Sequence, residues 1–201
     1  MSFRSKEESH KLSPLCDFSL RRNDKLIYMK KILKILIPIL VISLLAFMGY
    51  KVVNKINHKK QVAQNIKKMP AFSYVTLENK IFTQKSLVQS TPTLFIYFNS
   101  ECDFCNHEAE MVQQNIEQLK DIQVVFISYE PVEKIKQFAS KFNLLHHDNI
   151  SFLSDSKITF ATTFDVKSMP CLVLYNKQNN LIEKIKGQVK IETVLEKFQN
   201  F

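Results

Sequence analysis

Residues 32–50, ILKILIPILVISLLAFMGY, form an almost entirely apolar run interrupted by Lys34 and Ser43. A membrane-spanning helix needs about 20 such residues, and the run reaches that length once Val52 and Val53 are added. A soluble fold would have to bury such a helix all round, and nothing else in 201 residues is large enough to do so. Pro38 is compatible with a span, because it lies near the helix start and bilayer helices re-satisfy the freed carbonyl. The chain is therefore read as one anchor plus one domain.

No A-x-A-like cleavage site follows the run, and no cysteine follows that could take lipid, so the anchor is expected to be retained. Met29 opens MKKILKILIPILV, which begins as export signals do. Residues 1–31 are accordingly a short cytosolic tail, with Cys16 an unremarkable cytosolic thiol, or a signal-like region. Arg21, Arg22, Lys25, Lys30, Lys31 and Lys34 before the span are balanced by Lys51, Lys55, Lys59, Lys60, Lys67 and Lys68 after it. The positive-inside bias is thus a tie, and the signal-like start decides for an inside N-terminus with the rest exported. The net charge of +9 is assigned mostly to these flanks, not to nucleic-acid binding. The expected layout is a span over 32–53, a basic linker or short helix over 54–70, and a domain over 71–201.

Within that domain the periodicity changes. FSYVTLENKIFT alternates like two short strands around Glu78-Asn79-Lys80. PTLFIYF and IQVVFISY are continuous apolar runs, as expected of strands buried on both faces. Met111, Ile116 and Leu119 sit at roughly helical spacing, and VEKIKQFASKF is a helix opened by Pro131. ISFLSD is a third strand and KITFATTF a helix; PCLVLYN and LIEKIKGQV are two antiparallel strands before a closing helix, IETVLEKFQNF. Strands alternating with helices predict an α/β domain with a mixed central sheet covered on both faces.

Between the first long strand and the helix after it lies FNSECDFCNHEAE, with Cys102 and Cys105 two residues apart. By itself the pair suits a metal clamp, a structural disulfide or a redox couple. Four cysteines in a chain of this size do not make a disulfide scaffold.

An apolar strand, a C-x-x-C opening a helix and a distant X-Pro starting a strand–hairpin–helix tail resemble the thioredoxin fold. Glu108, three residues after Cys105, matches the C-x-x-C-x-x-E pattern of membrane-anchored TlpA/ResA-like thioredoxins, a group related to AhpC/TSA proteins. The long segment between Cys105 and Pro170 has room for the extra strand and helix of that group. The likeness covers about residues 70–200. It departs at Glu101, where an aromatic is usual, at Asp103-Phe104, where a proline is common, and at Ile96, where many thioredoxins keep a buried aspartate.

The resemblance implies a thiol–disulfide oxidoreductase in which Cys102 is the nucleophile and Cys105 the resolving cysteine. A helix N-terminus favours the thiolate there, through free N–H groups and the dipole. Glu108 is the expected proton carrier for Cys105 if burial raises its pKa; otherwise it is a solvated helix glutamate. Pro170 is expected to be cis, exposing the backbone of Met169 to substrate, with Phe104 as a further substrate contact; without the resemblance it reads as an ordinary trans proline. Glu101, Asp103 and Glu110 add negative charge that favours a reductant, partly offset by His107. No cofactor beyond the redox-active Cys102–Cys105 couple is implied. The implied partners are protein disulfides or dithiols, cytochrome c apoprotein among them, and a membrane thiol-electron donor. The expected setting is the bacterial inner membrane, as a single-pass monomer with its C-terminal domain in the periplasm or outside.

Cys171 places a third sulfur next to Pro170 in the sequence. It reads as a small hydrophobe packed in a strand, as a regulatory thiol that traps Cys102, or as a metal ligand. The last defines the alternative function, an extracytoplasmic Cu/Zn-binding module using Cys102, Cys105 and Cys171, perhaps with His107. A thiol peroxidase is disfavoured because Asn99 stands where the T-x-x-C pattern needs threonine. An idle interaction domain is disfavoured by the intact cysteine pair.

Overall fold

The computed structural model describes the backbone of residues 15–200 and side chains from residue 27 onward. Residues 1–14 of the expected tail, and the side chain of Cys16, lie outside the described residues. Helix α1 runs Leu15–Asn65 with Pro38 inside it, and its Ile27–Asn65 part is long and apolar enough to cross a membrane. Two compact units are separated after Asn57.

In the stretch 54–70, expected as a linker or short helix, the helical form holds as far as Asn65. The residues just beyond enter the core of the second unit, with Ile66 and Met69 buried. Tyr175 Oη donates to the Ile66 carbonyl at 2.9 Å, and Leu181 N donates to the Lys67 carbonyl at 2.9 Å. Basic composition suggested solvent. The apolar residues interleaved with the lysines decided otherwise, because each gains about 1.5–3 kcal/mol on burial.

The second unit holds one seven-stranded sheet. Its strands are β1 (Ser73–Thr76), β2 (Ile81–Thr83), β3 (Thr93–Tyr97), β4 (Gln123–Ser128), β5 (Ile150–Ser154), β6 (Cys171–Tyr175) and β7 (Leu181–Lys186). The spatial order is β2-β1-β5-β4-β3-β6-β7, with β3, β4 and β5 parallel and the other pairings antiparallel. The mixed sheet is as expected. The hairpin turn is tightened by Asn79, at a φ of 59°, and by Thr76 Oγ1, which accepts from Glu78 N and Lys80 N. Asparagine tolerates that left-handed conformation better than most residues.

The central strands are buried on both faces, so alternate side chains enter two separate cores. Leu94, Ile96, Phe98, Leu172 and Leu174 point into the first. There they meet α2 (Asp103–Gln114), α3 (Val132–Lys141) and α5 (Ile191–Gln199). Phe95, Tyr97, Cys171, Val173 and Tyr175 point into the second, with α4 (Thr159–Thr163) and the residues after α1. Phe98 anchors the first core, with ring centroids 4.4 Å from Phe138 and 5.8 Å from Phe126.

Parallel strands bring their C-terminal ends to one edge of a sheet, where crevices form. The segments following β3, β4 and β5 therefore meet there. Because β6 is antiparallel to β3, with Tyr97 opposite Cys171, the segment entering β6 arrives at the same edge.

Candidate active site

Helix α2 begins at this edge. Cys102 is its N-cap, with extended backbone (φ −89°, ψ 118°) and no side-chain capping bond; its carbonyl accepts from Cys105 N and Asn106 N, both at 3.0 Å. The Cys102 thiol is partly exposed, and Cys105, one turn in, is buried. Both are free thiols, and burial drives the Cys105 pKa far above the ordinary thiol range. Sγ of Cys102 lies 3.8 Å from the Met169 carbonyl, and the Met169–Pro170 peptide is cis. The Pro170 carbonyl accepts from Gly187 N at 2.8 Å; Gly187 has a φ of 79°, a conformation glycine adopts freely. Phe104, between the cysteines, is 62% exposed and is available to a partner surface.

Glu108 falls on the buried stripe of α2, with Cys105, Ala109 and Val112, and is itself fully buried. Its Oε2 accepts from Val189 N at 3.0 Å, while Oε1 has no partner among the described residues. Loss of solvent raises its pKa to about 7, with the Val189 bond only partly opposing the rise. A carboxyl in that condition can hold or release a proton near neutrality, beside a thiol that burial keeps protonated. Ile96, at the position of the aspartate kept by many thioredoxins, is buried in β3 and has nothing to ionise.

Two expectations are corrected. Cys171 does not stand beside the pair. It points into the second core, whereas Cys102 and Cys105 belong to the first, so the sheet separates them. Alternation along β6 decides this, since Leu172 takes the face that Cys171 leaves. Burial raises the Cys171 thiol to about 11, against weaker opposite influence from Lys184 and Lys186. The three-sulfur metal set and the trapping thiol are thereby removed. His107 pairs with Glu110 at 3.6 Å on the exposed face of α2, and no group of three or more metal-type ligands occurs among the described residues.

The second correction is electrostatic. Glu101 is not an uncompensated charge beside Cys102, because Lys134 Nζ on α3 donates to its Oε1 at 2.7 Å. That bond holds the Glu101 carboxyl below its ordinary range. Its negative charge therefore bears less on the Cys102 thiolate than the bare sequence implies.

The sequence reading missed the partners of the turn before Cys102. Asn99, Ser100 and Glu101 are held by Tyr129 and Glu130, just after β4, and by Lys134 in the first turn of α3, respectively. The available signal was an acidic residue directly before Pro131, at the end of a buried strand.

A seven-stranded mixed sheet, a C-x-x-C at a helix start and a cis-proline facing it define the thioredoxin-like class. The chain belongs to the AhpC/TSA family, whose model matches residues 66–184, and it has the thioredoxin-like fold. No curated protein matches the chain. Among solved structures, a secreted Mycobacterium tuberculosis disulfide oxidoreductase homologous to E. coli DsbE is 21% identical, with a TM-score of 0.55, covering 69% of this chain and 98% of its own. Peroxidoxin BcpB from Mycobacterium tuberculosis is 18% identical with a TM-score of 0.58, covering 67% of this chain and 95% of its own. Arabidopsis thaliana ScoI, solved with copper bound, is 18% identical with a TM-score of 0.53, covering 65% and 98% respectively. At these identities the three establish the fold and nothing finer.

Proposed function

We propose that the chain is a membrane-anchored thiol–disulfide oxidoreductase that reduces or exchanges disulfides in exported proteins through the Cys102–Cys105 couple. The observation that carries this reading is the placement of Cys102 at the N-cap of α2, with Sγ 3.8 Å from the Met169 carbonyl and Cys105 buried one turn behind.

The Cys102 thiolate attacks one sulfur of a substrate disulfide, forming a mixed disulfide and releasing the first substrate thiolate. Cys105 must then lose its proton, which burial resists. Glu108 is the base within the same core, and its pKa of about 7 suits it to accept that proton. The Cys105 thiolate attacks Cys102 Sγ, which closes the Cys102–Cys105 disulfide and frees the second substrate thiol. Two electrons and two protons pass to substrate, and a membrane thiol donor returns them. The extended backbone at Met169 and the ring of Phe104 supply the substrate contacts. The apolar helix α1 holds the domain at the outer face of the bacterial inner membrane.

The full-length protein in detergent is titrated against glutathione and dithiothreitol to obtain the potential of the couple. A value near or below about −270 mV makes the protein a reductant, whereas one near about −120 mV makes it an oxidant. Lack of a reversible two-electron couple refutes the reading. In parallel, Cys105→Ser should accumulate a mixed disulfide with substrate, and Cys102→Ser should accumulate none.

A further inference from the structure

The three residues before Cys102 are each gripped from one place. Tyr129 Oη accepts from Asn99 Nδ2 at 2.8 Å. Glu130 accepts from Ser100 twice, N to Oε2 and Oγ to Oε1, both at 2.7 Å. Lys134 Nζ donates to Glu101 Oε1 at 2.7 Å. Tyr129, Glu130 and Lys134 all belong to the junction of β4 and α3.

Of the three gripping residues, only Glu130 is buried. Tyr129 is 39% exposed and the Lys134 side chain is 50% exposed, so solvent competes for their bonds. Glu130 is 4% exposed and its carboxylate accepts a third bond, from the fully buried Ser128 Oγ at 3.1 Å. Its backbone is fixed as well: Glu130 N donates to Ser128 Oγ, and its carbonyl accepts from Ser154 Oγ at 2.9 Å. A buried carboxylate is costly unless its lone pairs are filled, and Ser100 fills two of the three acceptor sites occupied here. The turn continues directly into the nucleophile position, since Cys102 N donates to the Asn99 carbonyl at 3.2 Å.

We propose that Glu130 is a positioning residue, a buried carboxylate that locks Ser100 so that the Asn99–Cys102 turn presents the Cys102 thiolate at the N-cap of α2. This rests on the redox reading given above. Glu130 touches no reacting atom; it acts through Ser100, and its Oε1 also lies 3.9 Å from Nζ of Lys134, which holds Glu101.

The test measures, across pH, the second-order rate of pre-reduced full-length protein with the disulfide reagent 5,5′-dithiobis(2-nitrobenzoate) in a single turnover, for wild type, E130A, E130Q and S100A. The two Glu130 variants remove the same carboxylate, so any effect of its charge on the midpoint of the profile is common to both. The high-pH plateau reports positioning. In E130A the plateau should fall about tenfold or more, because misplacing a reacting group by about 1 Å can cost about a hundredfold. E130Q should recover most of the loss: its amide oxygen still accepts from Ser100 N and Ser128 Oγ, and the Ser100 hydroxyl can turn to accept from its NH₂. A cooperatively unfolding E130A with a wild-type plateau overturns the proposal, as does an E130Q plateau as low as that of E130A. If E130A does not fold, S100A decides, with a plateau roughly threefold down expected and a wild-type plateau overturning the proposal. A wild-type protein without a reversible Cys102–Cys105 couple refutes the redox reading instead, and this is measured before any variant.

Discussion

The backbone N–H of Val189 donates to Glu108 Oε2 at 3.0 Å, and Oε1 of the same buried carboxyl meets no donor among the described residues. One bond to a carboxylate is too little to offset its lost hydration, which is why its pKa rises to about 7. The folded state therefore binds this proton more tightly than the unfolded chain, where the ordinary value of 4.5 applies. Stability should fall as pH rises from about 4.5 to about 7, by on the order of 2–3 kcal/mol, and level off above. Glu108→Gln removes that slope. Urea unfolding of the reduced protein at pH 5 and pH 8 should show wild type losing more stability over the interval than the variant. Equal losses would mean that Glu108 ionises as freely as a solvated carboxyl.

Phe98 and Phe104 stand on either side of Cys102 and should respond oppositely to truncation. Phe98 is fully buried among Phe126, Phe138 and Phe152, so Phe98→Ala is expected to cost about 3–5 kcal/mol. Phe104 is mostly exposed, so Phe104→Ala should leave stability within about 0.5 kcal/mol. Its effect should appear as slower reduction of a protein disulfide, with the rate against a small aromatic disulfide little changed. Denaturant curves and the two rates check both. An equal loss against both substrates would remove Phe104 from the substrate contacts.

Cys171 lies across the sheet from the redox pair, so Cys171→Ala should leave the potential of the Cys102–Cys105 couple unchanged. The cost is a small cavity in the second core, roughly 1–2 kcal/mol. A shift of the couple beyond about 30 mV, a tenfold change in its equilibrium constant, would place Cys171 back in the redox chemistry.

Residues 58–70 belong to the domain. A protein spanning 58–201 should be more stable than one spanning 71–201, which lacks buried Ile66 and Met69 and the bond from Tyr175 Oη. The expected difference is on the order of 5 kcal/mol, comparable to the whole stability of a small domain. Comparative thermal unfolding tests it, and equal melting temperatures would make the segment a linker after all.

Much of the fold was readable because its core strands carry a two-sided signal. PTLFIYF and IQVVFISY have no polar face, so they could only be interior strands, and the tail after Pro170 read as two strands joined at Lys177 to Asn180. The site was readable where it is local: Cys102, Cys105 and Glu108 are fixed by spacing on one helix, and Glu108 interrupts an otherwise apolar stripe. Cys171 misled because proximity along the chain to Pro170 says nothing about which face of β6 a side chain takes. The residues 58–70 misled because lysines dominate the composition while the few apolar positions among them decide burial.

By itself the sequence determined the element types, the apolar helix and the helical spacing of the reactive pair, since these depend on periodicity and on neighbours a few residues apart. The tertiary structure decided which groups share an environment. Only the packed sheet sends Cys171 into the core opposite Cys102, removes water from Glu108 until its proton is held near neutrality, and brings Glu130 against Ser100 from 30 residues away. Each of these depends on burial and long-range contact, and chain closure supplies both only when the whole domain has formed.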